Sequence, residues 1–128
     1  MVFSKTPKYK ISDAALENFD CLVGIKTIIY GRVVSSNSIR VDGSVFGNVE
    51  NQDDAEICVA IGKKGYVVGD IKADRVFVAG KVEGHINVSG RVELRKDCVV
   101  KGNITCDSIG IEPGSNLLGM VNLINKNK

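Results

Sequence analysis

Tryptophan is absent from this 128-residue chain, aromatic residues make up 5% of it, and there are only two prolines and one histidine. A core without large rings must be assembled from many small aliphatic side chains, and with 44% of the residues hydrophobic the composition suits one domain. No apolar run approaches bilayer-spanning length. The four cysteines, Cys21, Cys58, Cys98 and Cys106, lack C-x-x-C spacing and follow no signal peptide, so they are expected to be reduced thiols of a cytoplasmic protein rather than zinc ligands or disulfides. Seventeen basic and fifteen acidic side chains are well mixed and leave a net charge of +2, which argues against nucleic acid as the main partner. Nothing resembles a phosphate loop, so no nucleotide, cofactor or metal is expected.

What the chain does have is a short pattern that keeps returning. Val82-Glu83-Gly84-His85-Ile86, an apolar-x-Gly-x-apolar stretch, has counterparts centred on Gly31, Gly47, Gly69, Gly102 and Gly119, at steps of 16, 22, 15, 18 and 17 residues. The long step points to an insertion around Asn51–Ala55. Between the copies lie apolar-x-apolar triplets: Ile39-Arg40-Val41, Ile57-Cys58-Val59, Val76-Phe77-Val78, Val92-Glu93-Leu94 and Ile109-Gly110-Ile111. Both motifs alternate with period two and are rich in Val and Ile, as short half-buried strands are. Glycines just beyond strand ends supply tight corners.

A period near 17 residues, at roughly 3.3 Å per residue, makes one turn of about three short strands, and such turns stack at about 4.8 Å. The sequence therefore predicts an all-β, single-domain β-solenoid of six turns over residues 21–121. It is flanked by an N-terminal tail over 1–20, with a short helix expected at 12–19, and a C-terminal tail over 122–128. A solenoid is closed along its length and open at its ends, where unpaired backbone groups lie beside core residues. Leu22, Ile25 and Ile29 at one end, and Leu117, Val121 and Leu123 at the other, are the expected end contacts. If a joint hides about 600 Å² of apolar surface it gains on the order of 15 kcal/mol gross. Association costs about 4 to 15 kcal/mol, so end-to-end assembly is favourable but tunable.

Alternation also names the outward residues. Before the motif glycine they read Tyr30, Phe46, Val68, Glu83, Lys101 and Leu118, and the first three form an apolar stripe suited to lateral association or partner docking. Glu83 and Lys101 are expected to form a surface ion pair across adjacent turns. After the glycine they read Arg32, Asn48, Asp70, His85, Asn103 and Met120, a solvated polar face. His85 and Asp70 have no Ser or Cys nucleophile beside them, so catalysis is not expected. In the triplets the outward column is Arg40, Cys58, Phe77, Glu93 and Gly110, which makes Cys58 a neighbour of Phe77. In the N-terminal tail, Val2, Phe3 and Lys5 form a tip able to meet a membrane surface.

With these copies laid out, Ile39-Arg-Val-Asp-Gly-Ser-Val-Phe-Gly-Asn-Val49 and Val76-Phe-Val-Ala-Gly-Lys-Val-Glu-Gly-His-Ile86 resemble the paired-glycine pattern of the bactofilins, and the resemblance covers about Leu22 to Val121. It implies a right-handed parallel β-helix that polymerises end to end without nucleotide, with like ends meeting. It also implies a structural cytoskeletal role, scaffolding cell-shape proteins and cell-wall enzymes at the inner membrane, with the chain itself as main partner. Val2-Phe3-Ser4-Lys5 resembles the membrane-targeting start of some members. Two other readings are open to the same residues. A hexapeptide-repeat acyltransferase would show a six-residue beat and a catalytic His in a subunit groove, whereas these steps vary. A β-helix adaptor that does not polymerise would have capped ends.

Overall fold

The computed structural model describes residues 19–124. Eighteen short strands wind into six turns of a parallel β-solenoid, three strands to a turn, and stack into three six-stranded sheets that form the faces of a three-sided rod. The first face holds Cys21–Val23, Ile39–Val41, Cys58–Ile61, Arg75–Val78, Arg91–Leu94 and Ser108–Ile111. The second holds Ile28–Tyr30, Ser44–Phe46, Tyr66–Val68, Lys81–Glu83, Val99–Lys101 and Asn116–Leu118. The third holds Val33–Ser35, Val49–Asn51, Ile71–Ala73, Ile86–Val88, Ile104–Cys106 and Val121–Leu123. The sequence assigns Asn122 and Leu123 to a tail, but they complete the last strand. The proposed helix over 12–19 and the tip Val2, Phe3 and Lys5 lie outside the described residues, Phe19 excepted.

Strands of three or four residues cannot stand alone, and here each inward side chain packs on its counterpart one turn away. Val45, Val67, Val82 and Val100 form one such ladder, and Val49, Ile71, Ile86 and Ile104 another. These are almost wholly buried. Each is worth about 1.5–3 kcal/mol relative to exposure. The six motif glycines make the corner between the second and third faces. At Gly84, φ is +155° and a Cβ would stand 2.1 Å from the Gly69 carbonyl oxygen. No other residue fits there.

The predicted insertion is a 3₁₀ turn at Gln52–Asp54, in which Asp53 and Asp54 have positive φ. It changes the register of the strand that follows. Alternation pairs the triplet Ile57-Cys58-Val59 with its neighbours, but the strand runs Cys58–Ile61 and pairs Val59 with Val76 and Ala60 with Phe77. Phe77 therefore has Ala60 beside it, not Cys58. Cys58 stands opposite Arg75 and is buried. Burial, with Asp74 adding a smaller effect, pushes its thiol up to about 12, so it is uncharged at neutral pH.

Candidate assembly surfaces

Among the described residues, the rod is open at its two ends. At the N-terminal end, Cys21, Ile29 and Val33 point inward and are half-buried, and Val23 is buried. Leu22 is not a core residue. It pairs with Arg40, points outward and is 59% exposed. Ile25 is not one either, since it sits on the corner 24–27 and is 63% exposed. Together with Ile28, Tyr30 and Val34, these residues give the first turn an exposed apolar side chain on every face. At the C-terminal end, Leu117 and Val121 point inward and are half-buried, while Ile111 and Leu123 have inward register but, among the described residues, no turn beyond them to cover them. Ile29, Leu117, Val121 and Leu123 thus lie where the repeat places them.

The apolar stripe lies on the second face and is wider than the glycine motif suggests. The Tyr30 and Phe46 rings stack with centroids 5.4 Å apart and planes 15° apart. Phe46 meets Tyr66 edge-on at 5.9 Å, and Val68 lies beside Phe46 in the next turn. Tyr66 is absent from the predicted stripe, although it precedes Val68 by two residues and so points the same way. Its hydroxyl donates to Glu83 Oε2 at 3.1 Å, and Lys81 Nζ lies 5.3 Å from its ring centroid. Lys81 also takes Glu83 as its ion partner at 3.2 Å, in place of the Glu83–Lys101 pair expected from the columns. The Lys81 ammonium and then the Tyr66 phenol hold the Glu83 carboxyl below its ordinary value. Partial burial and then Glu83 push the Tyr66 phenol up. This polar cluster bounds the aromatic patch toward the middle of the rod.

The column after the glycines does more than face solvent. Asn48 Oδ1 accepts the Asp70 N–H at 2.9 Å, Asp70 Oδ1 accepts the His85 N–H at 2.9 Å, His85 Nδ1 accepts the Asn103 N–H at 3.0 Å, and Asn103 Oδ1 accepts the Met120 N–H at 3.1 Å. Each side chain thus satisfies a corner amide one turn further on. His85 is bound into this ladder as an acceptor, which requires an unprotonated Nδ1. The legible signal is that 48, 70, 85 and 103 are all short acceptors directly after a glycine. The ladder stops at Arg32, which has no acceptor, and at Met120, whose thioether is a weak one. Burial also raises the Cys98 and Cys106 thiols. Among the described residues, no three His, Cys, Asp or Glu side chains converge in a way that could hold a metal ion.

Residues 21–122 match the family model described as bactofilin, polymer-forming cytoskeletal. Bactofilin BacO of Myxococcus xanthus DK1622 is 29% identical over 102 residues, which cover 80% of this chain and 78% of that one. A chain from the cryo-EM reconstruction of Thermus thermophilus bactofilin double helical filaments superposes with a TM-score of 0.69 at 22% identity, over 81% of this chain and 97% of the other. Repeat, rod and open ends agree with these matches, and the chain belongs to the bactofilin family of polymer-forming cytoskeletal proteins.

Proposed function

We propose that this protein assembles end to end, without nucleotide, into cytoplasmic filaments that scaffold cell-shape proteins and cell-wall enzymes at the inner membrane. The observation that carries this is the pair of rod ends that the described residues leave open. At both, strand edges lie beside exposed apolar side chains, Leu22, Ile28 and Tyr30 at one and Ile111 and Leu123 at the other. A capped adaptor would cover such edges. The patch of exposed Tyr30 and Phe46 with half-buried Tyr66 and Val68 supports lateral contact between filaments, and the Thermus thermophilus relative forms double helical filaments. Val2, Phe3 and Lys5 supply the membrane contact, with the apolar pair entering the interface and the lysine meeting anionic headgroups.

Negative-stain electron microscopy of the purified full-length protein, without nucleotide, tests this. Long unbranched filaments are expected, and uniform particles a few nanometres across would refute assembly. Co-sedimentation with anionic vesicles, with and without Phe3→Ala, tests the membrane contact separately.

A further inference from the structure

The corners that join the first face to the second alternate in length along most of the rod. Those at 24–27, 62–65 and 95–98 are four residues long and those at 42–43 and 79–80 are two, so a valley lies at turn 2 and another at turn 4. The two valleys share one architecture and differ in what fills them. At turn 2, Arg40 Nε lies 3.0 Å from Asp42 Oδ2, with both side chains about four-fifths covered. The Asp42 carboxylate leans on the next corner so closely that a Cβ at Gly62 would stand 2.0 Å from its Oδ1. At turn 4, the register puts Phe77 in the column of Arg40, and Ala79 at the position of Asp42.

What remains is an open groove floored by Ala60, Phe77 and Ala79 and flanked by Lys63, Lys64 and Lys96. Lys63 and Lys64 are exposed and have no ion-pair partner among the described residues. Of the acids along the same groove, Asp42 is engaged by Arg40, and Glu112 Oε1 accepts the Lys96 N–H at 2.8 Å. Asp97 stands at the tip of its corner next to Lys96. The groove therefore combines an apolar floor with the unpaired ammonium groups of Lys63 and Lys64 at one edge, while the acids Asp97 and Glu112 lie on the Lys96 side.

We propose that this valley docks a short, extended, acidic segment of a partner protein. A carboxylate of the partner takes the position Asp42 holds two turns earlier, and a neighbouring aliphatic side chain lies on Phe77 and Ala79. The groove is on the side wall, so it stays open when the ends are joined. A filament would then present one groove per subunit, on average one for about every 29 Å of six-turn rod, and a partner with several such segments would bind by avidity.

The probe is a fluorescein-labelled hexapeptide of alternating glutamate and leucine, titrated with the full-length protein and read by fluorescence anisotropy. Binding is expected to weaken with salt and to fall about tenfold in the double variant Lys63→Glu/Lys64→Glu. Ala79→Asp supplies a carboxylate from within, as turn 2 does, and is expected to cause a loss of similar size. Should Ala79→Asp fail to fold, Phe77→Ala, which removes the floor, carries the same expectation. Lys101→Glu, on another face, should change affinity less than about twofold. Unchanged binding by a folded Ala79→Asp or Phe77→Ala variant would overturn the proposal. So would equal losses from reversal at Lys101 and at Lys63/Lys64, because that is how a diffuse cationic surface for lipid or nucleic acid behaves.

Discussion

His85 shows how one side chain can be misjudged from composition. As the lone histidine beside Asp70 it invites a catalytic reading, but its Nδ1 is occupied by the Asn103 amide and its own amide by the Asp70 carboxylate. Its neighbours in the ladder, Asn48 and Asn103, do the same work with an amide oxygen. His85→Asn is therefore expected to preserve the rung, whereas His85→Leu leaves the Asn103 N–H to water at a cost of about 1 kcal/mol. Hydrogen exchange of a peptide spanning Asn103 reads the difference. Exchange should be faster in His85→Leu and unchanged in His85→Asn. Equal exchange in parent and His85→Leu at neutral pH would show that the rung contributes nothing.

At the scale of strands and corners, most of the fold is legible because alternation and glycine spacing report the same thing. Ile39, Val41, Val45 and Val49 are inward in the sequence pattern and buried in the rod. The failures come where the pattern is degenerate. Ile57-Cys58-Val59 and Val59-Ala60-Ile61 are both apolar triplets, and the 3₁₀ turn ahead of them decides which one pairs with Val76-Phe77-Val78. Leu22 and Val23 are adjacent and both apolar, and only pairing of Cys21–Val23 with Ile39–Val41 turns Leu22 outward. Side-chain bonding along the glycine corner had a signal in residue type but none in hydrophobic period. The corner itself yields a test. Gly84→Ala meets both a positive φ and the Gly69 carbonyl oxygen, whereas Gly31 has φ +127° and nothing within 4 Å of an added Cβ. Gly84→Ala is expected to cost about 3 kcal/mol and Gly31→Ala about 1 kcal/mol, the difference being the clash. Thermal unfolding of the two variants measures it, and equal midpoints would mean that the stacked corner relaxes freely.

For the molecule as a whole, stability and assembly draw on the same surface, since a solenoid's end is simply a turn without a neighbour. A carboxylate at an end should therefore block growth while leaving the rod folded, provided it replaces a residue the rod does not bury. Leu123 and Leu22 meet that condition at opposite ends, being 63% and 59% exposed. Placing Asp at either penalises its own joint by about 3 kcal/mol, roughly 150-fold in association. The state reached then reports how subunits are arranged. If like ends meet, each single variant keeps one intact joint and stops at a dimer, and Leu22→Asp combined with Leu123→Asp gives a monomer. If ends meet head to tail, every joint contains one altered end, and each single variant is already monomeric. Dimers would establish like-to-like joints, and monomers head-to-tail ones. Sedimentation velocity on the three variants distinguishes these outcomes, and undiminished filaments in all of them would place the joint away from the rod's ends.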